Sequence, residues 1–284
     1  MEQILKSWNI AQLAEIFRQA GQIALKYFDD PPTELKSDAS VVTLADRTIE
    51  QLFATYCDHA DSQVYMIGEE TIATHSEEYI QTALNADCCW ILDPIDGTAP
   101  YSIHLPFWGI SLGLLQRGRL VEGAVYLPIE DTLLITAADK LYCRNLQNDS
   151  DFRIFQPKIS PLGLSGHIGM GQYITHHWRY TGSNQVFSWS SCVGSFYWLL
   201  AGKLSAYCGN FKLWDIAGLL PIMRQAGFPV MSVKTPHQIV TDYPVAETFE
   251  LDAASDHRWR IKEPIITAPD KTTALTILSK FRAN

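Results

Sequence analysis

The chain has 284 residues, 47% of them hydrophobic and 19% charged, and its 22 Lys+Arg against 31 Asp+Glu leave a formal net charge of −9. The apolar content excludes a disordered chain, and the acidic balance excludes the basic surface that recruits a nucleic acid polymer or an anionic membrane. The length suits one large layered domain or two modest ones, and a phosphorylated ligand would need metal ions to supply the positive charge that the composition lacks.

The first residues, Met1 to Lys6, include Glu2 and lead into a helical pattern, so no secretory segment is expected there, and no stretch is apolar enough to span a bilayer. Ile10, Leu13, Phe17, Ala20, Ala24 and Tyr27 recur at the spacing of one helix face, which Asp29-Asp30-Pro31-Pro32 should end. A second helix is expected to carry Ile49, Phe53 and Tyr56 inward, with Asp46 in its first turn. A short strand, Val64 to Ile67, runs into Gly68-Glu69-Glu70, and the apolar run from Cys88 to Leu92 is expected to end at Asp93-Pro94-Ile95-Asp96-Gly97-Thr98.

Strand-like runs over 110–115, 121–127, 133–137 and 141–143, joined by short spacers, predict antiparallel pairing. The polar stretch 145–151, followed by Pro157 and Pro161, is the expected junction between an N-terminal half (1–150) and a C-terminal half (151–284). Beyond it the pattern alternates: a helix over 188–202, a strand over 204–207, a helix over 214–226 and a strand over 230–233. A strand over 265–267 then precedes a helix capped by Asp270, with Leu275, Leu278 and Phe281 expected to face inward. The six cysteines form no CxxC pair and no zinc-finger spacing, and their apolar neighbours mark them as buried free thiols of a cytoplasmic protein.

Asp93-Pro94-Ile95-Asp96-Gly97-Thr98 is the segment most suited to chemistry. Two acids three residues apart follow an apolar strand, proline restricts the backbone between them, and glycine lets the following chain bend towards a ligand. A helix starting near Thr98 would turn free N–H groups towards an anion. Taken alone, the segment also fits an Asx-rich surface turn. Gly68-Glu69-Glu70 also sits at a strand end, and Trp214-Asp215-Ile216-Ala217-Gly218 places an acid at the start of an apolar helix, where it is either an N-cap or a ligand. Four carboxylates, Glu69, Asp93, Asp96 and Asp215, suit hard cations such as Mg²⁺, and two divalent ions would balance their charge. His176-His177 reads as a solvated pair in a polar loop, and the glycine-rich stretch 163–171 lacks the Lys-Ser/Thr of a phosphate-binding loop.

Ser37 to Asp46, then Ile67-Gly68-Glu69-Glu70, then Trp90 to Thr98, then Trp214 to Gly218 resemble the motifs of the inositol monophosphatase family, in the family's order and over most of the chain. The resemblance implies an αβαβα layered α/β sandwich like those of sugar phosphatases, with an antiparallel N-terminal sheet and a smaller mixed C-terminal sheet flanked by helices. It also implies a Mg²⁺-dependent phosphomonoesterase, with two or three ions, acting on a small phosphorylated metabolite resembling inositol 1-phosphate. Glu69, Asp93 and the carbonyl of Ile95 would hold one ion, and Asp93, Asp96 and Asp215 a second. Thr98, with Asp46 and Glu69, would orient and activate the attacking water for in-line displacement. Asp96 and the main-chain N–H groups of Gly97 and Thr98 would contact the substrate. A homodimer, lithium sensitivity and a cytoplasmic location are further expectations, with no membrane or nucleic acid polymer as partner.

The chain departs from the family pattern at several places. Ser40 stands where the first motif usually carries an acid, Pro100-Tyr101 replaces an Asn-Phe pair, His104 is one place late, and Gly227-Phe228 replaces Gly-Gly. Cys208 or Gly209 takes the place of a glutamate that contacts the substrate hydroxyls in inositol phosphatases. Ser190, Ser191 and Cys192 align with backbone contacts to substrate. Histidinol phosphate and 3′-phosphoadenosine 5′-phosphate are therefore alternative substrates, and a catalytically weak regulatory relative is the alternative of a different class.

Overall fold

A computed structural model describes residues 4–29, 33–35, 41–148, 150–163, 166–236 and 239–283. Helices α1 (Ile10–Phe28) and α2 (Leu44–Cys57) flank a short hairpin of β1 (Thr33–Leu35) and β2 (Val41–Thr43). Asn9 starts α1 by accepting the N–H groups of Ala11 and Gln12, each at 3.1 Å. There follow β3 (Tyr65–Gly68), α3 (Glu77–Asn85), β4 (Cys89–Asp96) and the short α4 (Thr98–Ser102). The chain then runs as a meander through β5 (Gly109–Gln116), β6 (Arg119–Leu127), β7 (Thr132–Ala137), β8 (Lys140–Arg144) and β9 (Arg153–Ile154). These strands form a seven-stranded sheet in the order β3-β4-β5-β6-β7-β8-β9, antiparallel except for the parallel pair β3 and β4.

The remainder comprises β10 (His167–Met170), α5 (Gln172–His177), β11 (Trp178–Tyr180), β12 (Gln185–Phe187), α6 (Cys192–Leu200), β13 (Ala206–Gly209), α7 (Leu213–Ala217) and α8 (Leu219–Ala226). It ends with β14 (Val230–Ser232), α9 (Val245–Thr248), β15 (Ile265–Thr267), α10 (Lys271–Leu278) and β16 (Phe281–Ala283). A five-stranded mixed sheet runs β12-β10-β13-β15-β14. Alternation along the strands sorts the core into three clusters. Trp90 and Leu92 pack under α1 and α2, Ile91 and Tyr207 meet the middle helices α6 to α8, and Ile168 and Cys208 pack under α5 and α10. The result is the expected α/β layered sandwich, αβαβα. Phe17 stands edge-on to Phe53 at 5.5 Å and to Tyr126 at 6.4 Å, and truncating it to alanine would cost about 3–5 kcal/mol.

Several elements differ from expectation. The strand entering the acid-rich segment does not stop at Leu92 but continues to Asp96. The helix expected over 188–202 begins only at Cys192, because Ser190 takes φ 55 and the Ser191 hydroxyl caps the helix by accepting Gly194 N–H at 3.1 Å. The helix expected over 214–226 is two helices. Pro221 has no N–H to offer the carbonyl of Ala217, and the break at Gly218 lies against the sheet, where a Cβ on Gly123 would come within 2.0 Å of the Gly218 carbonyl oxygen. In α10, capped by Asp270 as expected, Leu275 is exposed and Ala274 and Ile277 turn inward instead. His176 and His177 lie in the last turn of α5, not in a loop. The expected helix stop at 29–32 falls largely outside the described residues. All six cysteines are free, and all but the half-buried Cys143 are buried.

Candidate active site

The acids meet where the middle helices face the large sheet. In a regular strand Asp93 and Asp96, three residues apart, would point to opposite faces. Here Asp93 pairs with Ser111 and Asp96 with Gly109, so three steps on β4 oppose two on β5, and the resulting bulge returns both carboxylates to the side of α6 and α7. Pro94 suits the bulge because it has no N–H to lose from the ladder. Gly97, at φ 92, then turns the chain into α4, and a Cβ there would meet the Ser191 side chain at 2.8 Å.

Asp96 is buried at the N-terminus of α6. Its Oδ2 accepts the Ser191 hydroxyl and, at 2.7 Å, the Val193 N–H, while Oδ1 faces the Cys192 N–H at 3.2 Å and the Cys192 thiol at 2.9 Å. Negative charge at a helix start is favourable, and this arrangement ties the two sheets together. Asp93 is only 2% exposed, and its Oδ1 is buried with no hydrogen-bond partner. Burial raises its carboxyl well above the ordinary range, and Glu69, Asp96, Asp215 and Asp46 raise it further. Asp215 sits in the third position of α7, not at its cap, with Oδ2 accepting the Lys212 N–H at 2.8 Å. Burial, then Glu69 and Asp96, push it up to about 7.

Asp46 closes the other side. As the third residue of α2 it completes a capping box, accepting both the N–H and the hydroxyl of Thr43 through Oδ2. Burial pushes it up to about 7 against those hydrogen bonds. Its Oδ1 faces the Thr98 hydroxyl at 3.4 Å, and that hydroxyl also donates to the Ile95 carbonyl at 3.0 Å. Glu69 follows β3, its N–H bound to the Leu92 carbonyl at 3.2 Å, and its Oε1 stands 3.6 Å from Lys212 Nζ. The structure thus brings Asp46, Glu69, Asp93, Ile95, Asp96, Gly97, Thr98 and Asp215 into one neighbourhood. Ser40 lies outside the described residues.

Three contributors escaped the sequence reading. Glu50, fully buried and one helical turn after Asp46, accepts the N–H groups of Glu70 at 2.9 Å and Thr71 at 2.8 Å and so anchors the loop that carries Glu69; burial pushes its carboxyl up to about 7. The i, i+4 spacing of Asp46 and Glu50 was the available signal. The Val193 N–H and Lys212 left no such trace. Of the two residues at the missing glutamate position, Cys208 turns into the outer core beside Ile168 and Ile266, and a side chain on Gly209 would collide with the Phe211 ring, 1.9 Å from an ideal Cβ.

The donor chemistry fits a hard divalent ion: every candidate ligand is oxygen, the acids raise one another, and Asp93 Oδ1 has no partner. Among the described residues no three His, Cys, Asp or Glu side chains already surround one point at coordination spacing, because Asp96 faces α6 and Asp215 faces its own helix start. Also among the described residues, no helix is long and apolar enough to cross a membrane.

The profile of the inositol monophosphatase family matches residues 8–268. Inositol monophosphatase 1 of Mus musculus is 31% identical over 235 residues, covering 76% of this chain and 80% of that protein. Nus factor SuhB of Pasteurella multocida is 26% identical over 247 residues, covering 79% and 85%. The crystal structure of the extragenic suppressor protein SuhB from Bartonella henselae shares the fold at a TM-score of 0.69 and 18% identity, covering 95% of this chain and 97% of that one. A profile match over nearly the whole chain, joined to acids that converge from the large sheet and from helices α2 and α7, makes this protein a member of the inositol monophosphatase family of phosphoric monoester hydrolases.

Proposed function

We propose that this protein hydrolyses a small phosphorylated metabolite in a Mg²⁺-dependent reaction, with two or three ions held by Glu69, Asp93, the Ile95 carbonyl, Asp96 and Asp215. The observation that carries the reading is the unpartnered Asp93 Oδ1, buried amid acids that repel it. Bound divalent ions supply water activation and shield the phosphate's charge. The chain's own part is positioning and proton handling. Asp46, held near 7 by burial and pinned by Thr43, is suited to take a proton near neutral pH, and the Thr98 hydroxyl, 3.4 Å away, is placed to relay it. Glu69, just after β3, is the second carboxylate that would orient the attacking water. The left-handed turn at Gly97 presents its own N–H and that of Thr98 to a phosphate beside Asp96.

On the leaving-group side, Phe211 closes the place where inositol phosphatases carry a glutamate. That keeps histidinol phosphate and 3′-phosphoadenosine 5′-phosphate beside inositol 1-phosphate as substrates. The division at about residue 150, homodimeric assembly, lithium sensitivity and a cytoplasmic location come with the family reading. The test is phosphate release from these three substrates by the purified protein, with Mg²⁺, with EDTA and with added Li⁺. Mg²⁺-dependent release from any one supports the reading; a folded protein that releases none from a broad panel removes it.

A further inference from the structure

Lys212 lies among the acids yet belongs to none of the assignments above. Its main chain is tied to one of them, donating its N–H to Asp215 Oδ2 at 2.8 Å, while its ammonium reaches another, 3.6 Å from Glu69 Oε1. Nζ also lies over the Trp214 ring, 5.2 Å from its centroid, and the side chain is 27% exposed. A lysine held at its backbone but free along four methylenes can leave a carboxylate without disturbing the helix that follows. A divalent ion held by the same Glu69 oxygen would stand within about 6 Å of the ammonium, where repulsion outweighs the attraction of a partly exposed pair.

We propose that the Lys212 ammonium competes with the divalent ion for Glu69, so that the acid cluster carries its own monovalent counter-charge and loading requires the lysine to swing off that oxygen. The proposal rests on Glu69 being a metal ligand, as in the functional reading above. The Trp214 ring, over which Nζ already lies, gives the ammonium a contact that does not depend on that oxygen. Lys212 is thereby a positioning residue that sets how much metal the site demands.

The test compares full-length wild type with Lys212→Met and Lys212→Arg. Lys203→Met is the control, because that ammonium lies over Trp198, 4.8 Å from its ring centroid, outside the acid cluster. Mn²⁺ and Mg²⁺ are titrated without substrate, by electron paramagnetic resonance and calorimetry. Lys212→Met should bind about three- to fivefold tighter, with Lys212→Arg and Lys203→Met close to wild type. In EDTA, Lys212→Met should also melt below wild type, and saturating Mg²⁺ should close the gap. Unchanged or weaker metal binding by Lys212→Met overturns the proposal. So does a pattern in which metal affinity is unchanged but inorganic phosphate binding with Mg²⁺ is lost, which would assign the ammonium to the phosphate. Wild type that takes up neither ion removes the metal reading and the proposal together, whereas normal uptake with an unaltered Lys212→Met removes the proposal alone.

Discussion

The Val193 N–H donates to Asp96 Oδ2 at 2.7 Å, joining a carboxylate at the end of one sheet's strand to the first turn of a helix 97 residues further on. Asp96 is thus both an acid of the candidate site and an acceptor for the first-turn N–H groups of α6, whose N-cap is Ser191.

Replacing Asp96 with asparagine keeps the size but turns an amide NH₂ towards donors. One of the pairs with Ser191, Cys192 or Val193 is then lost, at a cost of about 1–3 kcal/mol, partly offset by relief of the repulsion with Asp93. Phosphate release should fall by about a hundredfold or more while the protein remains folded. Circular dichroism melting beside a phosphate-release assay checks both; activity near wild type would remove Asp96 from the chemistry.

Glu50→Gln should act at a distance. A single amide oxygen cannot accept from Glu70, Thr71 N–H and the Thr71 hydroxyl as the two carboxylate oxygens do, so the loop carrying Glu69 loosens. We expect about 1–3 kcal/mol of lost stability and a higher Mg²⁺ concentration for half-maximal rate. Full stability with an unchanged Mg²⁺ dependence would show that Glu50 anchors nothing.

Asp46, Glu50 and Asp215 each lie near 7 in the folded chain, above the ordinary carboxylate value of about 4. Between those values these three groups hold more protons in the folded state than in the unfolded one, so their contribution to stability is greatest below about 4 and declines as pH rises towards and through 7. In EDTA the melting temperature should be lower at pH 8 than at pH 5.5. Mg²⁺ should restore it most at pH 8, where the acids are ionised. A rise in melting temperature with pH in EDTA would contradict the electrostatics of the site.

Gly123→Ala tests the contact between the sheet and the middle helices. Its Cβ would come within 2.0 Å of the Gly218 oxygen, a backbone atom that cannot rotate away. Destabilisation of about 1–3 kcal/mol or more is expected in urea unfolding, and a neutral result would mean that α7 and α8 can slide on the sheet.

The meander and the acids of the candidate site were legible because both rest on local patterns, apolar runs joined by short spacers for the one and Asp93 to Thr98 with Trp214 to Gly218 for the other, while the αβαβα layering came from the family resemblance. The break at Gly218 was hidden because an apolar run through 214–226 reads as one helix unless Pro221 is weighed. The Lys212 ammonium and the Val193 N–H were hidden for a stronger reason, since Glu69 and Asp96 lie more than 90 residues from them and only the tertiary fold selects these pairs. Leu275 misled because a short helix leaves the phase of its buried face poorly set.

The bulge at Pro94-Ile95 has a consequence for which changes the site can survive. Because the two acids, three residues apart, share a face only through one surplus residue, their convergence depends on the bulge being kept. Were the bulge to give way to regular pairing with no residue changed, Asp96 would turn to the side of α1 and α2 with every carboxylate still present in the sequence. Deleting one of the two residues would instead leave the acids two apart on one face of a regular strand, so the shared face rests on the bulge and not on the three-residue spacing by itself.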